Sequence, residues 1–208
     1  MIAKKRLFQE DNSENIIISD VLTYDELVSK YAEDNNLTEY SARVQLEKNN
    51  KKESKSYVNS FGITAANTYR SIAIIQDVAD KYKPKISFYC KTSEGGGYWG
   101  IQEIVNTSLI REYTYTKYKD PIWDPIGDPL WQDITVVKGF NGSLFVNLVS
   151  AYQIHYIING DFTENATTTQ SSGASINIGG VVTFNFTTSV SSNFYKYWFN
   201  DETKNVQQ

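Results

Sequence analysis

His155 is the only histidine of the chain, and imidazole is a side chain that suits general base chemistry near neutral pH. Every second residue from Tyr152 to Ile158 is apolar, so His155 should share the opposite strand face with Asn159, and Asp161 follows two positions after Asn159. A hydrolase acting on a wall polymer would need His155 within about 3–10 Å of Asp161 or Glu94. The simpler interpretation is a hydrogen-bonded, half-buried histidine on a strand, and we therefore predict no catalytic set.

Cys90 is the only cysteine, so the chain cannot form an internal disulfide and its fold must be stabilised by packing. A thiolate–imidazolium pair with His155 would be reactive, but the residues around Cys90 give no support for one. We predict that Cys90 packs in the core as a small apolar residue.

Several aspartates precede prolines or stand close to them between the middle of the chain and its last third. They are Asp120, Asp124, Asp128 and Asp133. Carboxylates from one loop can bind calcium, which makes Asp124 and Asp128 the candidate ligands. The spacing matches no known calcium-binding loop, however, and aspartate before proline also begins turns. We predict neither a metal site nor a cofactor.

Aromatic residues account for 14% of the chain and offer its clearest binding chemistry. Aromatic rings dominate contacts with sugars and with protein partners, because they are large, rigid and amphipathic. The candidate platform residues are Trp123, Trp131, Tyr98, Trp99 and Trp198. For the loop from Trp123 to Trp131 we favour a structural interpretation, in which its indole rings plug one end of the sandwich, over a binding platform.

Charge and hydropathy argue against two classes of partner. The net charge of −4 and pI of about 5.1 argue against nucleic-acid binding, and a helix-turn-helix would expose only Arg43, Gln45 and Lys48 to DNA. No run approaches the roughly 18 apolar residues of a membrane span, so we expect no integral membrane segment.

The first 15 residues lack the apolar segment of a signal peptide, yet the abundance of Asn, Ser, Thr and Tyr is typical of exported bacterial proteins. We predict a secreted or cell-surface protein, with a cytoplasmic location as the alternative.

The last third of the chain, Ile134 to Phe199, consists of short runs rich in Val, Ile, Phe, Tyr and Thr. Asn141-Gly142, Asn159-Gly160 and Gly179-Gly180 separate these runs, and glycine adopts positive φ at little cost, so we predict tight hairpin turns at all three. Short strands that each have one apolar face need a second layer to cover it. We therefore predict a mainly β, α+β fold: an antiparallel β-sandwich or barrel-like domain of tight hairpins preceded by two short helices.

Two helices are predicted before the β region. Thr23 and Glu26 form a capping box, after which a stripe of apolar residues continues to Asp34. Thr38 can begin a second helix that runs to Lys48, with its apolar side chains partly buried. Those side chains are Tyr40, Ala42, Val44 and Leu46.

The organisation predicted from these elements has four parts. They are a polar tail over residues 1–18, a helical hairpin over 19–48, a linker over 49–67 and an antiparallel β-domain over 68–208. Residues 68–78 fit either a helix or a strand, and we favour a strand because Ile86 to Cys90 would supply its partner.

Two stretches of the sequence resemble small exported proteins of Gram-positive bacteria. These are Tyr24 to Asn36 (YDELVSKYAEDNN), and Ile158 to Phe162 (INGDF) followed by Thr167 to Thr169. Proteins of that kind are uncharacterised and are often encoded near mobile elements. The resemblance implies export and brings no catalytic residues with it.

These observations favour a non-enzymatic, exported β-domain that binds a glycan or protein partner at the cell envelope. The wall-polymer hydrolase with His155 is the first alternative. The second is a pore-forming protein, because Thr167 to Ser192 alternates polar and apolar residues as the inserting hairpins of aerolysin-like toxins do. A half-exposed strand of an ordinary sheet shows the same alternation, which favours the non-inserting interpretation.

Overall fold

The computed structural model describes residues 15–50, 67–118, 131–164, 167–171, 174–188 and 193–206. Two helices lie near the start of this part of the chain and strands make up most of the rest. The elements are β1 (Ile16–Ile18), α1 (Tyr24–Asp34), α2 (Glu39–Asn50), β2 (Thr68–Ile75), β3 (Lys85–Gly95), β4 (Tyr98–Ile110), β5 (Glu112–Tyr118), β6 (Trp131–Ser150), β7 (Gln153–Glu164), β8 (Thr168–Gln170), β9 (Ile176–Asn177), β10 (Val181–Thr188) and β11 (Phe194–Asn205).

The strands form two antiparallel sheets, which confirms the predicted mainly β, α+β class. Sheet 1 has the order β1-β2-β3-β4-β9, and sheet 2 has the order β11-β7-β6-β10-β8, with β5 paired to the first part of β6. β6 is 20 residues long and therefore reaches three partners. Neither sheet closes on itself in the part of the chain that the structure describes.

One apolar core lies between the two sheets. Phe88 and Ile104 of sheet 1 and Phe140, Tyr156 and Phe184 of sheet 2 belong to it, all of them fully buried. The alternate residues of sheet 1 face the other way, and there Tyr89 and Val105 pack against the two helices. Sheet 1 is thus covered on both faces, by the helices on one side and by sheet 2 on the other.

The capping box predicted at the start of α1 is confirmed. The Thr23 backbone N–H donates to the Glu26 carboxylate at 2.7 Å, and the Glu26 backbone N–H donates to the Thr23 hydroxyl at 3.3 Å. In α2 the structure buries Ala42 but not Tyr40 or Val44, which are 79% and 36% exposed. The prediction of partial burial was wrong for these two, because α2 packs against α1 and sheet 1 through one narrow face only.

Two of the three predicted hairpin turns were wrong. Asn141-Gly142 lies inside β6 and Asn159-Gly160 lies inside β7, where Gly142 and Gly160 are direct cross-strand partners. Glycine is required here because the two strands and the Phe140 ring lie too close to allow a side chain, and not because the chain turns. A Cβ on Gly160 would lie 2.8 Å from the ring of Phe140. The hairpin between β6 and β7 turns instead at Ala151 and Tyr152.

Gly179-Gly180 does lie in a turn, and Gly179 has a φ of +78° there. The strands on either side of it are not partners of each other, however. β9 pairs with β4 in sheet 1, whereas β10 pairs with β6 and β8 in sheet 2. The turn therefore carries the chain from one sheet to the other, and the strands on either side of it do not form the hairpin that the pore-forming alternative requires.

Other predicted elements have mixed outcomes. Residues 68–75 form a strand that pairs with β3, as favoured. Residues 109–118 alternate as one continuous strand would, but they belong to two strands that separate at Arg111. Ile16–Ile18 pair with β2, the helices pack on sheet 1, and most of the predicted linker lies outside the described residues.

Candidate functional site

His155 lies on the outward face of sheet 2 and is hydrogen-bonded to a carboxylate of the neighbouring strand. Its Nε2 atom is 2.8 Å from Oδ1 of Asp201, and its ring packs edge-on against Phe145 with 5.8 Å between centroids. Asp161 stands six positions away on β7, which corresponds to about 20 Å along an extended strand. The structure therefore pairs His155 with Asp201 and does not bring it to Asp161.

Glu94, the other candidate acid, lies at the end of β3 in sheet 1 and is engaged by arginine. Nε and Nη2 of Arg70 each donate to its carboxylate at 3.0 Å, and the hydroxyl of Thr92 donates at 2.9 Å. These hydrogen bonds, above all those of Arg70, lower the pKa of Glu94. A carboxylate that a bidentate ion pair holds in its ionised form suits a structural role better than the role of a general acid.

Tyr98 and Trp99 lie together where β3 turns into β4. Tyr98 is 70% exposed, whereas Trp99 is half-buried beneath the Arg70 guanidinium, whose carbon lies 4.8 Å from the ring centroid. Shortly after them, the backbone N–H of Ile101 donates to Ala151 at the β6–β7 turn. This corner of the molecule presents one exposed ring and one ring already used in packing.

The other tryptophans lie elsewhere. Trp198 packs at the margin of the core, and its Nε1 donates to Gln76 Oε1 at 3.1 Å, at the end of sheet 1 remote from Trp99. Trp131 is 64% exposed at the start of β6, twenty residues of strand away from the β6–β7 turn. Trp123 lies outside the described residues. The described members of the predicted platform thus occupy three separate places and do not form one surface.

A different pair of aromatic rings does share a surface. Tyr197 and Phe199 alternate along β11, point outward from sheet 2, and are 53% and 54% exposed. Asp161 and Asn159 of β7 stand directly opposite them, and Asn141 of β6 continues the row. We call these five residues the aromatic face.

The aromatic face combines apolar rings with amide and carboxylate groups. The Tyr197 hydroxyl donates to Asn159 Oδ1 at 3.0 Å, which fixes that ring against the sheet. Side chains directly opposite each other in an antiparallel sheet lie about 5 Å apart, and alternate residues on one strand lie about 7 Å apart. Asp161 and Asp201 add negative charge, and no lysine or arginine of β7, β10 or β11 points outward there. The chemistry of this face suits a neutral, hydroxyl-rich ligand.

A second site is a cleft of about 1040 Å³ where the helices, the end of β4 and the β8 edge of sheet 2 meet. Its walls come from Tyr31, residues 33–37, Gln45 and Lys48 on the helical side, residues 109–114 around the β4–β5 break, and residues 168–171. Thr107 of β4 and Gln170 of β8 join the two sheets beside it, through a 3.0 Å hydrogen bond from the glutamine amide to the threonine carbonyl. The lining is rich in hydroxyl and amide groups.

The helical wall of the cleft is held in place by a buried polar network. The Tyr31 hydroxyl donates to Gln45 at 2.8 Å and accepts from the Asn106 amide at 2.9 Å. The Tyr89 hydroxyl donates to Asp34 at 2.8 Å. Burial raises the pKa of Tyr31 and of Tyr89, and the Asp34 carboxylate raises that of Tyr89 further. Both phenols are therefore neutral donors at any physiological pH.

Arg111 is the unusual charge of the cleft. It lies at the break between β4 and β5 and is partly buried, and its Nη1 donates to the Lys138 carbonyl at 2.8 Å. No described carboxylate lies within ion-pair distance of it, and burial lowers the pKa of its guanidinium, which stays protonated. A partly desolvated cation without a carboxylate partner gains more from an acidic ligand than a fully exposed one does.

Two further kinds of site were considered among the described residues: a metal-binding cluster and a membrane-spanning helix. No group of three or more His, Cys, Asp or Glu side chains there is arranged to hold a metal ion, and Asp124 and Asp128 lie outside the described residues. Among the helices that the structure describes, none is long and apolar enough to cross a membrane.

Comparison of the chain with protein-family models, with curated proteins and with solved structures found no match.

Sequence reasoning missed the residues that carry both sites. The run from Tyr195 to Phe199 shows alternating aromatics, but both of its faces are aromatic, so the pattern could not tell which rings face solvent. Arg111 looked like one more residue of a continuous strand, and only the break at that position turns its side chain towards sheet 2.

Proposed function

We propose that this protein is a non-enzymatic binding domain whose aromatic face takes a neutral glycan chain. The observation that carries the proposal is the pair of half-exposed rings, Tyr197 and Phe199, standing beside a row of amide and carboxylate side chains. Sugar rings present C–H groups on one face and hydroxyls at their edges. The C–H groups pack against aromatic faces, and the hydroxyls hydrogen-bond to Asn and Asp side chains.

The non-enzymatic part of the proposal is supported by the surroundings of the candidate catalytic groups. His155 is paired with Asp201 on an open sheet face, and Glu94 is held by Arg70 in the other sheet. Neither lines the cleft. The setting that we propose, the surface of a Gram-positive cell, is supported by the sequence resemblance of residues 24–36, 158–162 and 167–169.

Exposure of the two aromatic rings supports a binding role over a stabilising one. Large apolar side chains that lie side by side on an open face mark interaction sites more often than isolated ones do. Truncating a central aromatic residue of a binding surface commonly costs more than 1 kcal/mol of binding free energy. The same truncation at an exposed position changes folding stability by only about 0.5 kcal/mol.

The test is a glycan array followed by titration calorimetry with the best ligand. We expect Tyr197→Ala and Phe199→Ala each to weaken binding by about tenfold, while melting temperatures stay close to that of wild type. Tyr40→Ala is the matched control, because Tyr40 is 79% exposed on α2, away from sheet 2. Absence of glycan binding, or binding that survives both substitutions, would refute the proposal.

A further inference from the structure

The cleft described above differs from the aromatic face because cations line it beside carboxylates. Three cations line it without a described carboxylate partner: Lys48, Lys85 and Arg111. Of the acids that line it, Glu33 and Asp34 both pair with Lys30, at 3.4 and 2.8 Å, and Asp34 also accepts from Tyr89. Glu112 alone among the lining acids has no described cation partner.

We propose that the cleft binds a hydroxyl-rich ligand carrying a carboxylate or phosphate group, with Arg111 as the main anchor and Lys85 as a second positive charge. This site is separate from the aromatic face and does not depend on glycan binding there. The guanidinium fits the proposed ligand because it presents several N–H donors in one plane, which matches two oxygens of a carboxylate or phosphate.

Arg111 is partly buried, and most of its hydrogen-bonding capacity is unused within the described residues. Its only described acceptor is the Lys138 carbonyl at 2.8 Å, so most of its N–H donors are left to water or to a ligand. Lys138 cannot compete for the same anion, because its ammonium is bound by the Glu164 carboxylate and lies 4.1 Å from the Tyr195 ring centroid. A partly desolvated charge interacts more strongly with an incoming anion than an exposed one does.

The remaining wall of the cleft supplies groups that suit ligand hydroxyls. Thr169 is exposed on β8, and the exposed Gln45 amide stands on the helical side, where its oxygen accepts from Tyr31. A volume of about 1040 Å³ is large enough for one or two sugar rings. These features favour an acidic or phosphorylated sugar over a bare inorganic anion as the natural ligand.

The experiment is an NMR titration of the full chain with three probes: inorganic phosphate, glucuronate and glucose. We expect phosphate or glucuronate to shift the backbone amides of residues 111–114 and 168–171 saturably, and glucose to shift them much less. The tighter of the two anions assigns the class of acidic group. No saturable shift with either anion, or equal shifts with glucose, would overturn the proposal.

Substitutions test which side chains hold the anion. Arg111→Gln should weaken binding about tenfold or more, since a hydrogen bond to a charged group is lost. Lys85→Gln should weaken it severalfold, and it keeps the test decisive if Arg111→Gln does not fold. Lys117→Gln is the matched control, because this exposed lysine lies on β5 but does not line the cleft. If Lys85→Gln and Lys117→Gln weaken binding equally, the anion is attracted by the overall positive charge and not held in the cleft. That result would contradict the proposal.

Discussion

Gly142 of β6 and Gly160 of β7 are direct partners across sheet 2, and a Cβ on Gly142 would lie 2.6 Å from the Gly160 Cα. The same Cβ would lie 2.3 Å from the carbonyl oxygen of Asn159. The two strands approach each other here more closely than any other residue type allows. Trp198 of β11 continues the row beyond Gly160.

The first prediction follows from this contact. Gly142→Ala should destabilise the fold by about 3 kcal/mol or more, because backbone atoms and not a flexible side chain would have to move. Gly95→Ala is the matched control, since a Cβ at Gly95 meets nothing within 4 Å, and it should change stability by only about 0.5 kcal/mol. Urea unfolding measures both. Equal stabilities of the two variants would show that the strands can separate here without cost.

The second prediction concerns a hydroxyl that joins the two sheets. Tyr156 accepts from the Gln76 amide at 3.2 Å and the Asn200 amide at 3.0 Å, and donates to Glu202 at 2.8 Å. Tyr156→Phe leaves these groups without their shared partner and should cost about 1–3 kcal/mol of unfolding free energy. Tyr197→Phe removes a hydroxyl from the exposed surface and should be nearly neutral in the same thermal or chemical denaturation. A neutral Tyr156→Phe would mean that water replaces the lost oxygen.

The third prediction is a dependence of stability on pH that Arg70 and Glu94 create. The pKa of Glu94 lies below its ordinary value of 4.5 in the folded protein, because Arg70 binds the ionised form. The pair therefore contributes its full stabilisation above about pH 4.5 and loses it as the pH falls through the lower, folded pKa. Glu94→Gln should be less stable than wild type at pH 7 and close to it at pH 3. Unfolding curves at the two pH values measure the difference, and a gap that persists at pH 3 would contradict this assignment.

The fourth prediction uses Cys90 as a reporter of unfolding. Its side chain is fully buried between the sheets, and burial raises the pKa of the thiol, so the reactive thiolate is scarce in the native protein. A thiol reagent such as Ellman's reagent should label no cysteine in native protein and one per chain in denaturant. Rapid labelling under native conditions would show that the core opens locally around β3.

Much of the fold follows from local sequence pattern. The alternation of apolar residues from Tyr152 to Ile158 correctly predicted a strand, and the capping box at Thr23 correctly marked the start of α1. Both signals are local: the residues that produce the pattern are the residues that form the element.

The errors arose where one residue type serves two purposes. Glycine is favoured both at positive φ and where backbones touch, and only the position of Gly160 opposite Gly142 distinguishes the two. Sequence alone could not locate the candidate sites for a similar reason. The exposure of Tyr197 depends on which face of β11 meets sheet 1, and the setting of Arg111 depends on strands that are distant in sequence.

The coverage of sheet 1 on both faces has a consequence for amide hydrogen exchange. Ile86 to Cys90 of β3 are buried without interruption and are hydrogen-bonded to β2 and β4, whereas β11 is an edge strand with one face in solvent. Exchange of the central β3 amides should therefore require global unfolding, while β11 exchanges through smaller local openings. β11, which bears the candidate glycan-binding rings, thus belongs to the part of the molecule that opens most readily. β3, which lies beneath the helices, belongs to the part that opens last.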